Sequence, residues 1–307
     1  MDIVEVLYSA VRVSTPLVYA AMGGLLTYQA GMLNIALDGF MIVAAFAGIA
    51  TAFATGSLEL ALVAAVISSV LLAALMATFT FRFKADIFIA GIAVTFLAYG
   101  LTALLLKGVL GEDGVFMSST IPRFSPIVLP FIADIPVLGR ILSGHTILVY
   151  VAYLFIPLIS FALYKTRWGL RVRMVGEAPE AAAAAGVKVM SLKFQTMLLS
   201  GVLCGFGGAY LSLAYVSLFA NQMTAERGLI ALAAIFFAKG RPLSTALVAL
   251  LFGLATALSV RLPQVTGAAP QLLQLIPYVV TVLALVIVGV RTARARNKHG
   301  AWKFALD

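Results

Sequence analysis

Apolar residues in this chain come in long unbroken runs, not at alternate positions. The runs cover 7–26, 39–55, 58–81, 87–106, 145–164, 194–216, 228–238, 243–260 and 272–290, and short stretches rich in charge, proline or glycine separate them. A helix needs about 20 apolar residues to cross a hydrocarbon core about 30 Å thick. Most of the runs approach or exceed that length, and none shows the period-two alternation of a membrane barrel. The pattern predicts an all-α, polytopic transmembrane helix bundle of eight to nine membrane segments, some broken, forming a single domain over residues 1–307.

Two places break the pattern. The run 228–238 has 11 residues, a helix of roughly 16 Å that reaches only about half-way across the core. The stretch before it, "NQMTAERG", brings Asn221, Gln222, Glu226 and Arg227 towards membrane depth, and "YQAGMLNIALDG" does the same with Asn34 and Asp38 after the first run. Broken helices carrying polar groups are tolerated in a membrane where they line a cavity or pack inside protein, and in transporters they mark the substrate path. These six residues are therefore the substrate-path candidates. Asn34 and Asp38, four apart, would share one face of a helix. Asp38 is either a functional acid within the membrane or the cap of the helix that follows it. Glu226 and Arg227 read as residues that orient the broken segment. Tyr28, Phe40, Tyr210, Tyr215 and Phe219 could stack on a ring-shaped solute or sit as interface aromatics. Gly201, Gly205 and Gly208 form a small-residue surface for close helix packing.

Composition agrees with the pattern: 63% of residues are hydrophobic and 11% charged, against about 25% charged in soluble domains. The charge distribution adds orientation. Of the 21 Lys and Arg, 15 fall in four places: Arg82 and Lys84, six residues from Lys165 to Lys193, Lys239 and Arg241, and five from Arg291 to Lys303. Alternating crossings put all four on one side, which the positive-inside rule makes cytoplasmic. The N-terminus then lies outside, 107–144 is an external loop broken by Pro122, Pro126, Pro130 and Pro136, and 165–193 and 291–307 are a cytoplasmic loop and tail. The net charge of +9 belongs to this topology and to contact with the lipid bilayer, and no nucleic-acid partner is implied.

Catalytic chemistry is not supported. No G-x-x-x-x-G-K-[ST] phosphate loop is present, so the chain cannot itself be an ATPase. His145 and His299 stand apart from each other and from Cys204, which lies in an apolar, glycine-rich run, leaving no metal-ligand or triad clustering. No metal site and no bound cofactor are expected.

One hydrophilic stretch is unusual, "GEAPEAAAAAG" at 176–186. Pro179 suits a helix start, Glu177 and Glu180 suit the positive end of its dipole, and Gly186 suits its stop. So short a helix is not stable alone in water. It either docks on another protein through Ala181, Ala182 and their neighbours or folds back on its own bundle.

These residues carry a resemblance. "RMVGEAPEAAAAAGV", "AGMLNIALDGFMIVAAFAG", "SGVLCGFGGAYLSL", "ERGLIALAAIFFAKGRPLSTALVALLFG" and "LLQLIPYVVTVLALVIVG", in this order, resemble inner-membrane permease subunits of ATP-binding-cassette importers of the ribose, branched-chain amino acid and nucleoside type. The likeness is strongest to the shorter of the paired permeases for nucleosides or simple sugars. It implies a multi-pass chain of a bacterial or archaeal inner or plasma membrane that works by alternating access. Its implied partners are ATPase subunits that use ATP and Mg, a second, related permease and an external substrate-binding protein. It further implies that Glu177, Pro179, Glu180, Ala181, Ala182 and Gly186 belong to a coupling helix seated in the ATPase. Alanine at 183 and 184, where relatives often carry arginine or another larger residue, departs from that pattern.

Overall fold

A computed structural model describes residues 3–128 and 138–266, with Val279 and Val286 as single positions. Apart from those two valines, the expected segment 272–290 lies outside the described residues, as do the tail 291–307 with His299 and part of the external loop.

The apolar runs become helices: α1 (Ile3–Gln29), α2 (Leu37–Thr55), α3 (Leu58–Phe81) and α4 (Ile87–Leu110) in the first half. After a short external strand β1 (Val115–Phe116) come α5 (Leu138–Leu142), α6 (Ile147–Lys165), α7 (Arg167–Glu177), α8 (Pro179–Ala184) and α9 (Val189–Ala209). The ninth helix continues as a π-helical turn, Tyr210–Tyr215, before β2 (Phe219–Ala220), α10 (Arg227–Phe237) and α11 (Pro242–Thr266). Local chemistry sets many of the ends. Ser57 and Asp86 cap α3 and α4 by accepting from backbone N–H groups of their first turns. Gly56 and Gly111 end α2 and α4 in the left-handed conformation.

Among the described residues, six helices are long and apolar enough to cross a membrane: α2, α3, α4, α6, α9 with its π turn, and α11. Helix α10 is too short, and α1, although 27 residues long, falls outside the six. The position of α1 explains this. It packs against α11, α9, α10 and α6, and its middle, from Leu17 to Leu26, is buried throughout. A helix sheathed by protein need not be as apolar as one facing lipid. Pro16 inside α1 lacks an N–H and so leaves the Arg12 carbonyl without its helical donor. The Tyr210 hydroxyl on the π turn supplies one at 3.0 Å.

The small-residue stripe of α9 packs as its composition requires. A Cβ on Gly201 would come within 2.7 Å of the Ala73 Cβ, one on Gly205 within 2.8 Å of the Val66 Cα, and one on Gly208 within 2.1 Å of the Met41 carbonyl oxygen. Helices α2 and α3 thus close on α9 almost backbone to backbone. Beyond the helix ends, β1 and β2 pair antiparallel, Val115 with Ala220 and Phe116 with Phe219. This pairing, with the Asn221 N–H donating to the Gly114 carbonyl, fixes the start of the 216–226 stretch against the loop that follows α4.

The cytoplasmic loop expected over 165–193 is largely helical. Helix α7 was not legible because its arginines look like loop charge, yet Gly169, Val172 and Val175 recur on one buried face. Thr166 caps it, and the Trp168 indole N–H bonds the Gln195 side chain on α9 at 3.0 Å.

Candidate functional site

Both interruptions meet at one carboxylate. Between α1 and α2 the chain leaves helical geometry for residues 32–35. Asn34, almost fully buried, accepts from the Ala36 N–H and donates to the Ser200 hydroxyl on α9. It therefore does not share a helix face with Asp38, and it fixes the turn to the bundle instead. The N-cap of α2 is Ala36, so Asp38 does not cap its own helix. Its side chain, 2% exposed, points across the bundle. Oδ1 accepts from the Gly228 N–H at 2.9 Å, and Oδ2 accepts from the Thr224 hydroxyl at 2.8 Å and from the Tyr99 hydroxyl. Asp38 thus caps a different helix, α10, whose first turn holds Gly228.

The first turns of α2 and α10 come together at this acid. A Cβ on Gly228 would lie 2.4 Å from the Asp38 backbone nitrogen, so only glycine allows the approach. Two helix N-termini present their positive ends to one acceptor-only side chain, which compensates for burying it. Tyr99 lies 12 residues into the 24-residue helix α4, roughly 18 Å along its axis and in the middle of a helix long and apolar enough to cross a membrane.

The re-entrant stretch leading to α10 is strained. Ser217, Gln222, Ala225 and Glu226 all have positive φ, between 46° and 57°, a conformation that side chains other than glycine adopt at a cost. Arg227 folds back on it, donating to the carbonyls of Met223 and Thr224. Its guanidinium closes the turn through these two bonds.

Beside this junction lies a cleft of about 330 Å³. Asp38 and Glu226 line it with Thr95, Phe96, Tyr99 and Leu229, and no lysine or arginine is among the described lining residues. Two of the six substrate-path candidates, Asp38 and Glu226, therefore share the cleft. Asn221 and Gln222 are exposed at the outer end of the re-entrant stretch. Tyr99, Phe96 and Thr224 were missed, because one tyrosine in an apolar helix carries no signal without its partner. Of the expected stacking aromatics, Phe40, Tyr210 and Phe219 are core residues, essentially inaccessible.

A second group of candidates surrounds α8, which has six residues, with Pro179 in its first turn and Gly186 just beyond its end at φ 79°. Glu177 does not belong to this helix. It is the last residue of α7, at the negative end of that dipole. Ala182 is 1% exposed and turned into the bundle, whereas Glu180, Ala181, Ala183 and Ala184 face outward. Gly176, next to Glu177, touches the first interruption. A Cβ there would lie 2.2 Å from the Gln29 carbonyl oxygen and 3.0 Å from the Gly31 nitrogen. The outward helix is thus linked by backbone contact to the segment that leads into Asp38.

Residues 6–285 match the family described as "Branched-chain amino acid transport system / permease component". The chain belongs to this permease family. Among its relatives, the nucleoside ABC transporter permease protein NupC of Lactococcus lactis subsp. cremoris is 33% identical over 89% of each chain. The guanosine ABC transporter permease protein NupQ of Bacillus subtilis is 32% identical over 93% of each. The glucose ABC transporter permease protein TsgB13 of Haloferax volcanii is 30% identical, over 66% of this chain and 55% of its own length. Permeases of this kind are multi-pass transport components that operate with ATPase and other ABC components.

Proposed function

We propose that this permease forms half of the translocation path of an ATP-driven importer for neutral, hydroxyl-rich solutes, nucleosides first and simple sugars next. The observation that carries the reading is the cleft at mid-membrane. It offers the exposed carboxylate of Glu226 beside Phe96, with the buried Asp38–Tyr99 pair behind it and no described cation. Carboxylates accept hydrogen bonds from sugar hydroxyls, and an apolar ring packs on a sugar or base face. The same lining repels phosphorylated solutes and gives nothing to a free amino-acid carboxylate. Relatives named for nucleoside, guanosine and glucose support this choice. The wording of the family description favours branched-chain amino acids, which is the second reading.

In this mechanism an external binding protein delivers solute to a pair of related permeases in the inner or plasma membrane. Separate ATPase subunits, which use ATP and Mg, hold α8 through Glu180, Ala181 and the neighbouring alanines, while buried Ala182 seats the helix and Pro179 and Gly186 bound it. ATPase closure moves α8 and α7, and Gly176 presses on the Gln29–Gly31 turn. The turn shifts Asp38, which holds the start of α10 and the re-entrant stretch, so the cleft alternates between the two sides. Asn221 and Gln222 meet solute at the outer mouth. The last apolar run, 272–290, completes a bundle of eight to nine segments.

The test is to purify the complex with its binding protein and measure which solutes stimulate ATP hydrolysis. Stimulation by nucleosides or sugars is expected. Stimulation by leucine, isoleucine or valine alone would transfer the chain to the second reading. Uptake that needs no ATPase and collapses with a protonophore would remove both.

A further inference from the structure

A second cavity, of about 670 Å³, lies at the opposite end of α10 from the Asp38 cleft, on the face that the charge distribution assigns to the cytoplasm. Its walls come from the end of α1, the ends of α6 and α7, and the turn between α10 and α11. Arg173, Lys239 and Arg241 line it against a single acid, Glu177, and Tyr28 and Tyr164 flank them. Among the described residues none of the three cations forms an ion pair. The Arg173 guanidinium lies 4.7 Å from the centre of the Tyr164 ring, and its Nε is buried without an acceptor. Stacking of this kind holds the planar fork in one orientation and leaves its terminal N–H groups for an oxygen ligand. Lys239 is held in the left-handed conformation, φ 51°, by a turn whose Gly240 carbonyl accepts from the Gln29 side chain.

We propose that this cavity binds a phosphate group. Three cations against one carboxylate favour a doubly charged anion. The arginine fork suits phosphate oxygens, and the tyrosines suit the organic part attached to them. The chemistry fits either a phosphate monoester from the cytosol or the headgroup of an anionic lipid at the inner leaflet. Position gives the binding a consequence. The cavity touches Gly31 at the first interruption, Gly176 on α7 and the α10–α11 turn, so an anion bridging them opposes relative movement of the elements that carry α8 and α10.

The experiment uses the complete transporter in nanodiscs. Guanosine monophosphate is titrated in discs of phosphatidylcholine alone, and phosphatidic acid retention is measured by native mass spectrometry in mixed discs. The wild-type complex is expected to bind at least one probe. Lys239→Gln/Arg241→Gln is expected to weaken that binding about tenfold or more, since charge-assisted bonds to phosphate are strong. The control Arg82→Gln/Lys84→Gln removes two other cytoplasmic-side cations and is expected to leave it unchanged. Binding of the monophosphate alone identifies a cytosolic ligand, and retention of the lipid alone identifies a headgroup. Failure to bind either probe, or equal loss in both double variants, overturns the proposal. Because the readout is binding and not uptake, it is independent of which solute is carried.

Discussion

Asp38 was legible as a polar residue in the wrong place, but its function was not, since its partners lie 61, 186 and 190 residues away. Spacing along a helix, the only relation visible locally, pointed to Asn34 and was misleading. The geometry makes two side-chain predictions. Asp38→Ala strands the Gly228 N–H and the Thr224 hydroxyl in the bundle interior, and the loss of bonds to a charged acceptor is expected to lower stability by about 3 kcal/mol or more. Thr224→Val removes one such bond and is expected to cost about 1.5–3 kcal/mol. Denaturation of the purified protein, with substrate uptake alongside, checks both, and Asp38→Ala behaving like Thr224→Val would disprove the central position of the acid. His145 makes a third prediction, just before the start of α6. It is 2% exposed, stacks on Tyr8 at 4.3 Å and bonds the Ile141 carbonyl through Nε2, while its Nδ1 has no partner. Burial lowers its pKa below the usual histidine value, the Ile141 carbonyl works against this, and nearby Arg12 adds to it. The folded state therefore resists a proton that the unfolded state accepts. Its contribution to stability is complete above about pH 6.5 and is lost as the pH falls below that value. Hydrogen exchange over 138–146, corrected for intrinsic rate, should accelerate on mild acidification in the wild type and not in His145→Gln.

At the scale of elements, the long apolar helices were legible because a membrane demands uninterrupted apolar length, and among the described residues the structure keeps their bounds to within about six residues. Helix α7 was hidden because its charges are those of a loop, and only the spacing of Gly169, Val172 and Val175 betrays it. The alanine helix was legible at both ends, through Pro179 and Gly186, but not in its facing. Only the fold shows that Ala182 turns inward while Ala181 and Ala183 turn outward. This facing separates docking from packing. Ala181→Leu adds bulk to an exposed position, so stability should stay within about 0.5 kcal/mol of wild type while ATP-dependent uptake falls. Ala182→Leu forces a larger side chain into the bundle and is expected to destabilise the protein by about 1–3 kcal/mol. Measuring denaturation and uptake for the pair gives the answer, and full uptake in a folded Ala181→Leu protein would remove α8 from the coupling path. Gly176→Ala tests the next link. Its methyl group would have to displace the Gln29 carbonyl, so the variant should hydrolyse ATP while losing stimulation by the loaded binding protein.

At the scale of the whole molecule, the cleft imposes a requirement that one chain cannot meet. Glu226 borders it and is exposed, at the level where Asp38 meets α10, and beside it Phe96 is 68% and Leu229 46% exposed. A carboxylate at mid-membrane depth cannot be left against lipid, because charged groups there face a bundle interior or a water-filled cavity. The opening of the cleft therefore calls for a second wall, which the proposed importer would supply as a sister permease facing α4 and α10. Two such subunits would then enclose one path with acids on the inside and apolar faces outside. The arrangement is open to direct measurement, because the native cysteine, Cys204, is buried and should stay silent to thiol reagents. Phe96→Cys and Leu229→Cys, introduced singly, should react readily with a lipid-soluble maleimide when the chain is expressed alone. Both should be protected once the complete transporter is assembled, and Phe96→Cys should form a cross-link to the second permease with a short bifunctional reagent. Equal labelling in the isolated chain and in the active complex would mean that the cleft faces lipid after all, and the path would have to be sought elsewhere in the bundle.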